Sequence, residues 1–199
     1  MTGVTVLCMG LAFALGCLPF SQLIAKRSGV DLRAVGSGNV GATNLARALG
    51  YGAGAAGLLL DAAKGAAAVL LARAILGGAT APAGAAIMAV AGHAFSPFLR
   101  FRGGKGVATS AGAFAVLAPR ATLAALGVFA VVVGLGRVVG LGSVLAALTL
   151  PVAAHLLGAE REVTGAAAVV AALVVVRHRD NLVRLVRGTE RRLGAGDRS

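Results

Sequence analysis

Apolar residues fall into long blocks that polar residues interrupt only briefly. The blocks cover Val4–Ala25, Gly52–Leu76, Ala83–Phe98, Gly106–Ala118, Ala121–Gly136, Leu141–Leu157 and Val163–Val176. Several approach the roughly 20 residues that a membrane-crossing helix needs, and the shorter ones are expected to extend into the polar stretches beside them. The pattern predicts an all-α polytopic membrane protein with seven transmembrane helices. Connections are too short to house a separate soluble domain, so residues 1–199 read as a single membrane-integral domain, with a basic tail from about residue 178.

Composition agrees. Of 199 residues, 58% are apolar and 13% charged, whereas soluble domains run at about 45–50% and about 25%. A soluble globule and a disordered chain are both excluded. Cys8 and Cys17 are the only cysteines, too few for a disulfide framework, and their apolar surroundings mark them as small buried fillers.

Charge placement gives an orientation. No Lys or Arg precedes Lys26, so the first block lacks the basic start of a secretory signal. It reads as a retained helix with its N-terminus outside and its C-terminal neighbours Lys26 and Arg27 inside. With seven spans, fifteen of the nineteen Lys and Arg then fall on the cytoplasmic side, including seven at the C-terminal end from Arg177 to Arg198. That asymmetry is the positive-inside pattern. The net charge of +12 is therefore mostly one membrane-facing basic surface, suited to anionic membrane lipids and a phosphorylated substrate rather than to nucleic acid.

Polar residues are scarce enough for their clustering to matter. Three segments stand out: Gly36 to Asn44 with Arg47, Gly92 to Thr109, and Arg177 to Asn181; Leu141-Gly-Ser143 is a weaker fourth. All fall on the cytoplasmic side of the seven-span topology. Spans two, four and six are expected to begin there, each after a Gly/Ser-rich segment (36–44, 103–106 and 140–143). Helix N-termini carry unpaired N–H groups and partial positive charge, and glycine lets an anion approach them, so these are candidate phosphate sites. Arg47, Arg102 and Lys105 add positive charge. The Gly-Gly-Lys-Gly run is not a Walker motif, because Leu99 and Gly106 stand where glycine and a hydroxyl are required. Three scattered histidines without a cysteine or carboxylate cluster give no metal centre. Asp61 and Lys64 share a helical face within the second span, as an internal ion pair or as a substrate contact. His93 heads a proline-containing turn, and the stretch beyond Asn181 reads as an interfacial basic segment.

Ser37-Gly-Asn-Val-Gly-Ala-Thr-Asn44 with Arg47, Asp61-Ala-Ala-Lys-Gly65, Gly92-His with Gly103-Gly-Lys-Gly-Val-Ala-Thr109, and Arg177-His-Arg-Asp-Asn181 with Gly188 and Glu190 occur in that order along nearly the whole chain. In this the sequence resembles the bacterial acyl-phosphate–glycerol-3-phosphate acyltransferases. One departure is visible: the family commonly has Ser near the position of Gly140. The resemblance implies a seven-helix enzyme of the bacterial inner membrane that moves a fatty acyl group from acyl phosphate to the 1-hydroxyl of glycerol 3-phosphate, giving lysophosphatidic acid and phosphate. It implies no cofactor, an active site facing the cytoplasm, and a functional link to an acyl-phosphate-forming enzyme. The His-x4-Asp motif of other glycerol-phosphate acyltransferases is missing, since Phe98 lies five residues after His93.

For such a reaction, Ser37, Asn39 and the amides of Gly103, Gly104 and Lys105 are expected to hold one phosphate, with Arg47 and Lys105 neutralising it. Gly38, Thr43, Asn44, Arg102 and Gly106 complete that binding set. Ser143, His178 and Asn181 are assigned to a second phosphate, with Lys105 as oxyanion donor. Without a nucleophile–base pair, direct attack by the glycerol hydroxyl is favoured, with His178 or a substrate phosphate oxygen as base. The alternative is a small organic-anion or phosphate transporter, which would place its cationic pocket near the midplane.

Overall fold

The break in the first apolar block sets the architecture around the site. A computed structural model describes residues 2–194, and every regular element among them is helical. Arg198 of the basic tail lies outside the described residues. The chain divides into two compact units, with the boundary between Leu117 and Ala118.

In the first unit, α1 (Gly3–Cys17) ends where Pro19 cannot supply a backbone N–H, and α2 (Phe20–Arg27) restarts immediately after it. A short α3 (Ala42–Leu49) leads through Gly50 into the long α4 (Tyr51–Leu76), followed by α5 (Thr80–Ala94), a 3-10 turn over Pro97–Leu99, and α6 (Val107–Leu117). The α1–α5 and α4–α6 pairs pack extensively. Small residues permit this where lipid offers no hydrophobic drive to associate. A Cβ on Gly112 would run into the Ala62 carbonyl, and one on Gly65 into that of Thr109, so α4 and α6 touch backbone to backbone. Arg73, near the end of α4, donates to the Val116 carbonyl at 3.3 Å and so satisfies an orphaned acceptor in the last turn of α6.

The second unit is a run of close antiparallel-type connections. It comprises α7 (Pro119–Gly136), α8 (Val139–Leu156), α9 (Arg161–Arg177) and α10 (Arg179–Val186). Only Arg137 and Val138 separate α7 from α8, and His178 alone separates α9 from α10. Arg137 takes a left-handed conformation at φ 58° to make its turn.

Among the described residues, five segments are long and apolar enough to cross a membrane: Gly3–Arg27, Tyr51–Leu76, Thr80–Leu99, Pro119–Gly136 and Val139–Leu156. Of the other two expected spans, α6 is shorter than its Gly106–Ala118 block, whereas α9 reaches past Val163–Val176 at both ends, as the expected extension into the neighbouring polar stretches requires. α6 has 11 residues and α9 has 17, about 16 and 25 Å at 1.5 Å per residue. Two helix-start expectations also change. The 36–44 segment opens α3 rather than the spanning α4, and Gly140–Ser143 lies inside α8 rather than before it. Only the 103–106 segment directly precedes the helix expected after it, α6.

Candidate functional site

Residues 31–41 form a loop clamped from both ends by buried amides. From α2, Gln22 Nε2 donates to Asp31 Oδ1 at 2.8 Å, and Gln22 Oε1 accepts from the Leu32 N–H at 3.2 Å. From α3, Asn44 Nδ2 donates to the Leu32 and Val35 carbonyls, while Asn44 Oδ1 accepts from the Ser37 N–H at 2.9 Å. Gln22 and Asn44 are buried, and between them Ser37 and Gly38 are exposed. The loop is thus presented rather than loose. Asn39 and Thr43 are half-buried beside it, and Arg47 is exposed one turn along α3. The Asp31 carboxyl receives the Arg33 side chain, the Arg33 N–H and Gln22, which together hold it well below the usual carboxylate range; Arg33 is raised in return.

The second segment, residues 96–106, opens with the 3-10 turn and is otherwise irregular; Ser96, Leu99, Gly103, Gly104 and Gly106 are buried, while its 100–102 tip is exposed. Arg100 and Phe101 both take left-handed backbone conformations, at φ 53° and 61°, and turn the chain back along α5. There the Gly103 N–H donates to the Ala94 carbonyl at 3.1 Å, and the Gly104 N–H to the His93 carbonyl at 3.2 Å. These two amides, expected from the sequence to meet a phosphate, are instead spent on holding the segment to α5. Gly103, Gly104 and Gly106 are buried, Lys105 is half-buried and Arg102 is exposed. A Cβ on Gly104 would collide with His93 Nε2, so only glycine lets the chain pass the imidazole.

Both segments belong to one neighbourhood. Leu32 and Val40 of the first and Leu99 of the second share a buried cluster with Ala25 and Leu45. Val40, Leu99 and Gly104 line the same small cavity, with room for a single water-sized guest, as Asp61, Lys64 and His93. Lys64 Nζ lies 2.8 Å from Asp61 Oδ1 and donates to His93 Nδ1 at 2.9 Å and the Leu18 carbonyl at 2.6 Å. Ser21 Oγ donates to Asp61 Oδ2 at 3.1 Å. Sequence reading paired Asp61 with Lys64 but left His93 separate and missed Ser21. The available clue was Pro19, because a helix broken there must find partners for its last carbonyls. Lys64 serves Leu18, and Ser96 Oγ serves Cys17 at 2.7 Å.

The second unit holds the other candidates. His178 is buried, and its Nδ1–H donates to the Val174 carbonyl at 2.8 Å, which puts the lone pair of the neutral ring on Nε2. Ser143, also buried, donates its hydroxyl to Val139 one turn back. Asn181 Nδ2 donates to Glu190 Oε1, and Arg184 Nε to Glu190 Oε2 at 2.8 Å. Gly140 faces this arrangement: a Cβ there would come within 2.9 Å of Asn181 Nδ2 and 3.1 Å of Glu190 Oε1. The clasp by Glu190 was not foreseen as geometry, although its presence in the motif was the available signal.

A family model described as glycerol-3-phosphate acyltransferase matches residues 6–188. The chain belongs to the glycerol-3-phosphate acyltransferase family. Relatives carrying that family name include one from Geobacter sulfurreducens, 42% identical over 93% of this chain and 95% of its own length. Another, from Thermus thermophilus, is 45% identical over 92% of each. Among solved structures, PlsY (YgiH), an integral membrane glycerol 3-phosphate acyltransferase, superposes in its glycerol 3-phosphate form with a TM-score of 0.92 at 37% identity, covering 96% of both chains. Its lysophosphatidic acid form gives 0.90 at 36%. As a member of this acyltransferase family and a close structural match to an integral membrane protein, the chain has a reason for both its apolar helices and its two glycine-rich segments.

Proposed function

We propose that this acyltransferase moves a fatty acyl group from acyl phosphate to the 1-hydroxyl of glycerol 3-phosphate, yielding lysophosphatidic acid and inorganic phosphate. The glycerol oxygen attacks the acyl carbon, the bond from that carbon to the phosphate oxygen breaks, and the hydroxyl proton passes to a base. The observation that carries the reading is the meeting of the 31–41 and 96–106 segments around one buried cluster. It sets Ser37, Asn39, Thr43 and Arg47 in the same unit as Lys105 and Arg102, a cationic surface for a phosphate dianion. With the Gly103 and Gly104 amides occupied, the charged and hydroxyl side chains do the binding, while Gly38 and Gly106 give the backbone its left-handed turns at φ 69° and 83°. Asn44 acts by fixing Ser37. Lys105 also stabilises negative charge growing on the acyl oxygen.

In the second unit, Asn181, and Ser143 once its hydroxyl turns from the Val139 carbonyl, supply hydrogen-bonding groups for the other phosphate, and His178 Nε2 supplies a proton acceptor. The leaving phosphate is the other base that the chemistry offers.

The same proposal takes seven membrane-associated segments, the N-terminus outside and the basic C-terminus in the cytoplasm, with the reaction at the inner leaflet of the bacterial inner membrane and residues 1–199 working as one functional domain; the positive-inside distribution of Lys and Arg supports it. The shortness of α6 supports this placement. Non-helical backbone is tolerated at membrane depth only when buried in protein, and residues 103–106 largely meet that condition, so the phosphate-binding segment can lie within reach of acyl tails. Anionic lipids hold the basic tail, and an acyl-phosphate-forming enzyme supplies the donor. The test is direct: purified protein in detergent, given acyl phosphate and glycerol 3-phosphate, releases inorganic phosphate with matching formation of lysophosphatidic acid. Turnover with acyl-CoA but not acyl phosphate would overturn the donor assignment.

A further inference from the structure

We infer that Asp61, Lys64 and His93 act together as positioning residues for the Gly103–Lys105 segment and thereby set its affinity for the phosphate of glycerol 3-phosphate. The inference rests on the reading that this segment meets that phosphate.

Two ionised side chains near the middle of a long apolar helix are costly, and in membranes such residues are retained where they serve a partner or a site. Here the partner is identifiable. The ammonium of Lys64 has three donors and no acceptor, so His93 Nδ1 must accept from it, and the neutral imidazole then carries its proton on Nε2. Asp61, braced by Ser21, supplies the countercharge at 2.8 Å that lets Lys64 remain an ammonium in this setting. The ring orientation fixed in this way presents Nε2 to Gly104, at the place where any Cβ would clash. On the same residue, the His93 carbonyl accepts from the Gly104 N–H, and the next carbonyl, Ala94, accepts from Gly103. Position and rotation of His93 are therefore transmitted to the two residues before Lys105 through both its ring and its backbone. Packing constrains the plane of the ring without distinguishing its nitrogens from its carbons. The Lys64 contact makes that distinction.

The experiment compares Lys64→Met with Asp61→Asn/Lys64→Met; the second variant removes the pair without stranding a buried carboxylate. Calorimetry in detergent reads the dissociation constant and stoichiometry for glycerol 3-phosphate, and a thermal transition reports folding. The expected result for the double variant is a cooperative transition, unit stoichiometry and affinity weakened about tenfold, the equivalent of roughly one charge-assisted hydrogen bond's net worth. A purely structural cluster would lower the fraction of binding-competent protein while leaving the dissociation constant of that fraction unchanged, and this outcome overturns the inference. Failure of both variants to fold overturns it as well, because the cluster would then be a scaffold element. Lys105→Met measured in parallel separates the two layers. If it binds glycerol 3-phosphate like the parent, the assignment of the segment to that phosphate falls. If it loses affinity while the pair variants keep theirs, only the present inference falls.

Discussion

Asn44 holds Ser37 across seven residues, its Oδ1 accepting the Ser37 N–H at 2.9 Å while its Nδ2 donates to two carbonyls of the same loop. A single buried amide thus fixes the shape of the segment that exposes Ser37. Replacement by leucine keeps the volume and strands those partners, at about 1–3 kcal/mol for each one that water does not reach. Asn44→Leu is expected to lower the melting temperature and to remove most acyl transfer. Parent-like turnover, read as phosphate release, would show that Ser37 needs no such support.

Lys105 sits half-buried within the glycine run, where its proposed role is to act on substrate. Lys105→Met is expected to cut kcat by about 10²–10³ or more, the cost of losing a transition-state donor. Its thermal transition in detergent should stay within a few degrees of the parent.

His178 gives a sharper test of proton transfer. Asn in its place can still donate to the Val174 carbonyl in the manner of Nδ1, but has no group equivalent to Nε2. His178→Asn is expected to lose about 10²–10⁴ in kcat, the span of general acid–base catalysis. Its rate–pH profile should also lose the limb that reports an imidazole. A profile unchanged in shape would assign the proton to a substrate phosphate oxygen.

Acid is expected to loosen the 31–41 loop. The carboxyl of Asp31 is held below its ordinary range by the Arg33 side chain and N–H and by Gln22. A depressed carboxylate contributes stability that is present above the unfolded value of 3.8 and is lost as the pH falls through its folded value. Hydrogen exchange at Leu32 and Arg33, whose amides donate to Gln22 and Asp31, should therefore quicken below about pH 4 relative to intrinsic rates. Asp31→Asn should remove that acid-dependent step.

Much of the fold was legible because apolar blocks mark helices directly. α4, α5, α7, α8 and α9 fall close to their blocks, and the clustering of rare polar residues singles out Ser37–Arg47 and Gly103–Lys105. What the pattern hid was local. Hydrophobicity does not register that Pro19 lacks an N–H, so one block became two helices. Nor does it mark where a helix gives way to irregular chain inside a block: Ala83–Phe98 reads as one run, yet α5 ends at Ala94 and a 3-10 turn follows. The Gly103 and Gly104 amides looked available because sequence records which donors exist, not which carbonyls lie opposite them. His93 illustrates the same limit. Its chemistry was visible, but its contact with Lys64 spans 29 positions and no periodicity announces it.

The interruption at Pro19 carries a lesson for anyone hoping to engineer a hardier enzyme. Swapping that proline for alanine looks like an obvious gain in helix propensity, since α1 could run straight into α2. A continuous helix would, however, reclaim the carbonyls of Cys17 and Leu18 for its own ladder and leave Ser96 and Lys64 without the acceptors they now use. An intended improvement at one end of the molecule would strip an acceptor from a serine and from an ammonium deep inside it.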